Sequence, residues 1–273
     1  MTPDQTENSS YTMALSASEV ERYQLMLADA LSHERETWVG AGFAPGARIA
    51  DVGCGPGVIL IELARLVGPT GTATGVERDP ETRAVAADAA SRQGLGNVRI
   101  IDGEADATGL DDGSCDAVMM RHVLLHNGPR AGAIISHLAT LLRPGGSLYL
   151  VETDPLGWRR DPDDADITEC YERWFELMRR RHNDLEIGAK LGRLMGDAGL
   201  EILDRTARIG VFSGDAMLRG GPWAARAAIV QAGLATQADV TRWDHAFSSY
   251  AERLGPRVFF APWYRAIGRR GSR

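Results

Sequence analysis

The feature that most constrains the fold of this chain is a glycine-rich loop at residues 51–57, Asp-Val-Gly-Cys-Gly-Pro-Gly. A short apolar stretch at 48–52 leads into it, and an apolar helical stretch at 58–67 follows directly. Because glycine has no Cβ, such a loop lets the backbone approach a ligand closely. It also aims the free N–H groups of the helix start at that ligand. The sequence therefore predicts a strand–loop–helix unit that binds a ligand at the loop.

Strand and helix patterns alternate through the first 155 residues, which is typical of βαβ units around a parallel sheet. The predicted strands are 48–52, 72–77, 98–101, 115–119 and 147–152, and the predicted helices between them are 58–67, 79–93 and 134–142. Two further strands are expected at 201–212 and 257–267. The fold class is therefore α/β, a Rossmann-like, doubly wound and mostly parallel sheet of seven strands with helical cap insertions.

The same patterns divide the chain into six segments. Helical patterns at 17–41, at 167–181 and between 213 and 256 stand outside the regular alternation. The expected organisation is an N-terminal tail and helix at 1–41, a ligand-binding core at 42–155, a cap insertion at 156–184, a core helix and sixth strand at 185–212, a helical cap insertion at 213–256, and the last strand and tail at 257–273.

A carboxylate at the end of the second strand narrows the choice of ligand. Glu77 follows that strand, and a carboxylate placed there can accept hydrogen bonds from both hydroxyls of a ribose. NAD and S-adenosylmethionine both carry such a ribose. The G-x-G-x-G spacing of the loop differs from the G-x-G-x-x-G loop that holds a pyrophosphate. The residues by themselves leave both cofactors open and weigh against NAD.

Three more segments follow the loop in order: Asp102–Asp106 after the third strand, Met119–His126 around the end of the fourth, and Leu142–Gly146 before the fifth. Together with the glycine loop, this set resembles the class I methyltransferases that depend on S-adenosylmethionine. It is most similar to the small-molecule group, which includes quinone-biosynthesis and natural-product methyltransferases. The resemblance covers residues 45–155 and implies S-adenosyl-L-methionine as cofactor, with S-adenosyl-L-homocysteine as product.

The resemblance also implies roles for individual residues. The loop should shape the pocket for the methionine half, and Glu77 should hold the ribose hydroxyls. Glu104, where aspartate is commoner, should accept from the adenine amino group. The first helix resembles a lid found in part of the group, and an ordinary amphipathic helix is the alternative. The full implied cofactor set is Asp51, Gly53, Cys54, Gly55, Gly57, Glu77, Arg78, Glu104, Ala105 and Arg121, with Tyr11, Tyr23 and Gln24 from the lid; Cys54 is expected to pack in the loop and not to act as a nucleophile.

Two histidines after the fourth strand are the candidates for a general base. His126 follows His122 by four residues, a spacing that would place both on one helix face. A base is needed only if the acceptor is a hydroxyl or a protonated amine. Packing or capping roles are the alternative for both histidines. No third ligand accompanies them, so no metal is expected.

Aromatic residues concentrate in the two cap insertions. They predict an apolar acceptor pocket, the core of the cap itself, or a homodimer interface. The acceptor pocket is expected to use Trp158, Tyr171, Trp174, Phe175, Trp223 and Trp243, with two insertions and the N-terminal helix closing over the carboxyl edge of the sheet.

Composition limits the partners and the location. The net charge of −7 repels a polyanion, so nucleic acid is not expected. No apolar run approaches the length of a membrane span, the first ten residues lack a signal-peptide pattern, and a cytoplasmic location is the expectation. The expected function is methyl transfer to a small organic acceptor, with natural-product biosynthesis as the expected setting. The alternatives are a cyclase or pericyclase that binds the cofactor without methylating, and an NAD-linked oxidoreductase.

Overall fold

The computed structural model describes residues 17–213 and 215–272 and confirms the predicted α/β alternation. The strands are β1 Arg48–Val52, β2 Thr72–Val76, β3 Val98–Ile101, β4 Cys115–Arg121, β5 Leu142–Thr153, β6 Arg159–Asp161, β7 Glu201–Ser213 and β8 Val258–Arg269. The helices are α1 Ala17–His33, α2 Arg35–Gly40, α3 Val58–Val67, α4 Pro80–Arg92, α5 Ala131–Leu141, α6 Ala165–Arg180, α7 Ile187–Asp197, α8 Asp215–Ala224, α9 Arg226–Gln231 and α10 Gln237–Leu254, with 3-10 turns at Leu124–Arg130 and Pro155–Gly157.

The strands form one sheet in the order β3-β2-β1-β4-β5-β8-β6, and β7 also pairs with β8. The five strands from β3 to β5 run parallel, whereas β8 is antiparallel to β5, β6 and β7. Over the residues that the structure describes, the sheet has eight strands, one more than expected, because the short β6 adds to the end of β8. Strand order reverses between β1 and β4, which opens a crevice at the carboxyl ends of these strands.

Local signals explain the boundaries that the sequence predicted well. Asp79 caps α4, since its carboxylate accepts a hydrogen bond of 2.7 Å from the backbone N–H of Thr82, and Pro80 occupies the first turn. The apolar side of α3 is buried through Leu60, Leu63 and Val67. Both faces of the central strands are covered: β5 is buried from Ser147 to Thr153.

Several predicted boundaries were wrong. The helix predicted over 17–41 divides at Glu34 into α1 and α2, and the helical pattern between 213 and 256 forms α8, α9 and α10, with α8 and α9 separated at Ala225. The Arg143–Gly146 turn lies within β5, which begins at Leu142. None of the helices along 17–213 and 215–272 combines the length and the apolar character needed to cross a bilayer.

Helices outside the Rossmann-like order gather into one group. In it, α6 contacts α8, α9 and α10, and α8 also contacts α1. An added Cβ at Gly220 of α8 would lie 3.7 Å from Cδ of Arg22 on α1. The two insertions and the N-terminal helix are therefore packed together.

Candidate active site

The carboxyl ends of β1, β2 and β4 meet at one point of the crevice. Asp51 pairs with Gly75 on β2 and with Met119 on β4. The glycine loop leaves β1 at this point. It is held by the carbonyl oxygen of Val76, which accepts from the backbone N–H groups of Gly53 at 2.8 Å and Cys54 at 3.2 Å.

Glycine is required by the shape of this loop. Gly53, Gly55 and Gly57 have φ values of 73°, 54° and 80°, in the left-handed region that other residues rarely adopt. A Cβ at Gly53 would stand only 2.4 Å from Cγ2 of Val123. The sequence prediction of a close-approach loop between strand and helix is confirmed in its geometry.

Glu77 lies beside this loop, where the sequence predicted it. One carboxylate oxygen accepts from the N–H of Gly55 at 3.1 Å, and the other accepts from the N–H of Asp79 at 3.0 Å. A carboxylate oxygen accepts two hydrogen bonds, so each of the two has capacity left for a ribose hydroxyl. The half-buried Glu77 side chain is therefore fixed in place and still able to accept hydrogen bonds from a ligand.

Arg78 and Glu104 come together at the ends of β2 and β3. Nη1 of Arg78 is 3.7 Å from Oε2 of Glu104, and Arg130 approaches the same oxygen to 3.6 Å. Both side chains keep nearly half of their surface exposed. The half-buried Ala105 follows in a tight turn in which the N–H of Ala107 donates to the carbonyl of Glu104 at 3.0 Å. These residues thus extend the site outward from Glu77.

Asp51 and Arg121 lie deeper, at the ends of β1 and β4. Burial raises the pKa of the Asp51 carboxyl to about 7, an effect that Arg121 opposes and Glu77 adds to. The Arg121 guanidinium forms a buried ion pair with Glu34, which also accepts from the Tyr149 hydroxyl at 2.9 Å. Sequence reasoning missed Glu34, because no local signal links it to a residue 87 positions away.

The Cys54 thiol points into the protein. Its side chain is buried, and a Cβ at Gly75 on β2 would lie 2.7 Å from Sγ. Burial raises the pKa of this thiol well above its usual range. Cys54 packs in the loop, as expected, and a thiolate nucleophile is not formed here.

Helix α1 covers the glycine loop through Tyr23. A Cβ at Gly55 would lie 3.6 Å from the Tyr23 hydroxyl, and burial raises the pKa of that hydroxyl. Gln24, the next residue, is exposed, and Tyr11 lies outside the described residues. Of the three predicted lid residues, the structure thus brings Tyr23 to the loop and not Gln24.

The two histidines do not share a helix face, and that prediction was wrong. His122 has a φ of 56°, its N–H donates to the Val151 carbonyl at 2.9 Å, and the 3-10 turn begins only at Leu124. The strand therefore continues to Arg121, and a sharp backbone turn separates the two rings. Burial lowers the pKa of His122 well below its usual range and that of His126 to about 4.

Arginines reinforce the effect of burial on both rings. Arg121, Arg22 and Arg208 lower the pKa of His122, and Arg22, Arg78 and Arg181 lower that of His126. Both imidazoles are therefore neutral at neutral pH. A neutral ring can accept a proton, although a base with so low a pKa gains little from doing so.

Glu152, at the end of β5, is a buried acid that sequence reasoning missed. One oxygen accepts from the N–H of Leu124 at 2.6 Å, and burial raises the pKa of this carboxyl to about 8. Its side chain thereby fixes the start of the 3-10 turn that carries His126. The only available signal was an acid closing an apolar strand.

The aromatic residues of the insertions mainly form the core of the cap. Trp158 stacks on Trp174 with ring centroids 5.5 Å apart, and the Tyr171 hydroxyl donates to the Leu218 carbonyl at 2.6 Å. Trp243 is completely buried, and its indole N–H donates to Glu169 at 3.3 Å. The assignment of Tyr171, Trp174 and Trp243 to an acceptor pocket is corrected, since their rings are used inside the cap. Two others pack at its margin: Phe175 lies against Trp174, and Trp223 lies against Phe247.

The described part of the chain holds no group of three His, Cys, Asp or Glu side chains arranged to ligate a metal.

Residues 49–146, which include the glycine loop and the ends of β2, β3 and β4, match the family model described as a methyltransferase domain.

Curated methyltransferases match part of this chain, and a solved structure shares its fold. The nocamycin O-methyltransferase of Saccharothrix syringae is 40% identical over 114 residues, which are 41% of this chain and 39% of that protein. The ubiquinone biosynthesis O-methyltransferase of Xanthomonas axonopodis pv. citri is 36% identical over 122 residues, 44% of this chain and 49% of that protein. The chain spans about half the length, or less, of the curated relatives that it matches. Among solved structures, the YcgJ protein of Bacillus subtilis superposes with a TM-score of 0.60 at 18% identity, covering 88% of this chain and 99% of that one.

Proposed function

We propose, from the premise that residues 49–146 are a class I methyltransferase domain, that this protein transfers a methyl group from S-adenosylmethionine to a small organic acceptor. The observation that carries the proposal is the cradle formed by the glycine loop, Glu77 and Tyr23. Its three left-handed glycines leave room for a ligand against the backbone, and Glu77 keeps acceptor capacity for a ribose.

The residues of this chain fit the cofactor of that class. Glu77 would hold the ribose hydroxyls, and Glu104 with Ala105 lies one strand further out, where an adenine would reach. The loop and the Arg121 backbone at the end of β4 would face the methionine half. When bound, this cofactor supplies an activated methyl group on a sulfonium.

The protein's own contribution is alignment and exclusion of water. Tyr23 covers the loop from α1, and α1 packs on the cap through α8. Holding the two reactants in line can lower the activation barrier by about 7–11 kcal/mol. His122 and His126 lie at the end of β4 as neutral rings, so a proton acceptor is available if the acceptor needs one.

A small acceptor is supported by the net charge of −7, which disfavours nucleic acid. One relative is named as a nocamycin O-methyltransferase and another as a ubiquinone biosynthesis O-methyltransferase. These names support a role for this protein in natural-product biosynthesis. The cyclase alternative shares the same cofactor site. A product heavier by one methyl group in mass spectrometry separates the two functions.

The cofactor site is tested by Gly55→Val. A valine at a φ of 54° strains the backbone and places its side chain against the Tyr23 ring. We expect calorimetry to show no binding of S-adenosylhomocysteine. Gly94→Val is the matched control, because Gly94 has a φ of 66° and open space around it. Binding by Gly55→Val at the wild-type affinity would refute the assignment of the loop.

A further inference from the structure

Three buried nitrogen atoms around the Trp263 ring have no hydrogen-bond partner among the described residues: Nε1 of Trp263, Nη2 of Arg121 and Nε2 of His122. The His122 ring meets the Trp263 ring edge-on with centroids 4.9 Å apart, and the Arg121 guanidinium carbon lies 5.9 Å from that ring. We name these three residues the Trp263 cluster. Buried polar groups are nearly always paired, so an unpaired group of three is a candidate site for a ligand that accepts hydrogen bonds.

The position of the cluster separates it from the cofactor cradle. From β1, the cradle extends to the end of β2, whereas the cluster extends the other way, from β4 to β8. Neighbouring strands lie about 4.8 Å apart. The cluster residues are one to three strands from β1, so they lie about 5–14 Å from the glycine loop. That is the side of the crevice on which an acceptor would meet the methyl group.

The chemistry of the free atoms defines the group that would fit. Indole and guanidinium nitrogens are donors only, so Trp263 and Arg121 require an oxygen that accepts. Arg121 carries a charge, and the Arg208 guanidinium lies 5.1 Å from the Trp263 ring. Charged donors bind ionised oxygens more strongly than neutral ones. The side chains of Trp263 and Arg121 are both more than nine-tenths buried, so such a group would be enclosed.

The backbone at His122 gives a second, independent indication. Its φ of 56° is rare for a residue other than glycine, and such conformations concentrate where a ligand is held. The turn moves the His122 ring off the strand and onto Trp263. Phe212, with its centroid 5.7 Å from that of Trp263, adds an apolar wall beside the same ring.

We propose that the acceptor carries a carboxylate, bound by Nη2 of Arg121 and Nε1 of Trp263 with His122 completing the site, and an apolar part that packs on Phe212. This inference rests on the proposed methyltransferase function and specifies its substrate class. The carboxylate is a recognition handle and is separate from the atom that receives the methyl group. Trp263 and Arg121 are thus specificity-determining residues.

Benzoate is the probe, and benzamide, its neutral counterpart, is the comparison. We expect benzoate at millimolar concentration to raise the melting temperature of the protein saturated with S-adenosylhomocysteine, and benzamide to do so much less. Trp263→Phe keeps a ring and removes the donor, and should weaken benzoate roughly tenfold. Arg121→Lys keeps a cation for Glu34 and removes the second guanidinium nitrogen, and should act in the same direction.

Trp38→Phe is the matched control, since the Trp38 indole N–H also lacks a partner but lies outside the cluster. It should leave the benzoate effect unchanged. Three results would overturn the inference: no stabilisation of the wild type by benzoate, equal stabilisation by benzamide, or unchanged benzoate binding in Trp263→Phe.

Calorimetry with S-adenosylhomocysteine distinguishes a failure of this inference from a failure of the methyltransferase proposal. Loss of cofactor binding in Trp263→Phe would assign the cluster to the cofactor, and no binding to the wild type would refute the methyltransferase proposal itself.

Discussion

At the scale of single residues, His126 gives a measurable consequence of burial. Its native pKa of about 4 lies below the unfolded value of 6.5. Between these two values the unfolded chain binds a proton that the native state does not, so this residue makes stability fall as pH falls from 6.5 to 4. Asp51 and Glu152 act in the opposite sense, because their pKa values are raised.

The comparison of wild type with His126→Gln isolates the histidine from these carboxyl groups. We expect the variant to lose less stability than the wild type between about pH 7 and about pH 4.5, measured by urea unfolding. The exposed His245 provides the control, and His245→Gln should keep the wild-type dependence. Equal pH dependence in His126→Gln and the wild type would contradict the burial of this ring.

At the scale of elements, α1 is the part of the cap that reaches the cofactor cradle. It is tied to the sheet by the ion pair of Arg208 on β7 with Asp29, in which Nη1 lies 2.9 Å from Oδ1. Tyr23 therefore covers the glycine loop from a fixed helix. Packing of this kind contributes to ligand binding by excluding water from the loop.

Replacing Tyr23 tests this arrangement. Tyr23→Ala should weaken S-adenosylhomocysteine about fivefold or more, equivalent to about 1 kcal/mol, because the ring that covers Gly55 is removed. Gln24→Ala, at the exposed neighbouring position, should leave the affinity unchanged in calorimetry. The lid interpretation fails if both variants bind like the wild type.

At the scale of the whole molecule, the cap continues the apolar core of the sheet. Trp243 of α10 is completely buried in it. Trp243→Ala should lower the free energy of unfolding by about 3–5 kcal/mol, as for other large-to-small changes in cores. Leu254→Ala, on the same helix at an exposed position, should cost under about 0.5 kcal/mol. Urea unfolding measures both, and equal stabilities would show that the cap is not a core.

The homodimer stays a prediction. The fully buried Trp243 and the nearly buried Tyr171 are used within one chain and offer no ring to a partner. An interface built from these aromatics is therefore not supported, and light scattering over a range of concentrations measures whether the chain associates through another surface.

The sequence by itself determined whatever depends on neighbouring residues. β1, α3 and β3 have the predicted bounds, and Asp79 caps α4 as expected, because apolar spacing, glycine and capping side chains act over a few positions. The cofactor cradle was predictable for the same reason. Its glycines follow one strand and Glu77 closes the next, whereas the contact of Tyr23 with the loop depends on how α1 packs.

The tertiary structure alone decided how distant side chains meet. Three features join segments that are far apart in the chain: the ion pair of Arg121 with Glu34, the contact of His122 with Trp263, and the burial of Trp243. Nothing local encodes them, since they depend on strand order and on how the cap folds back. Even the conformation of His122, which replaced the predicted helix face, follows from the length of β4 and its pairing with β5. The Trp263 cluster, which we propose binds the acceptor, therefore emerged only in three dimensions, whereas the glycine loop and Glu77 were already recognisable in the linear order of residues.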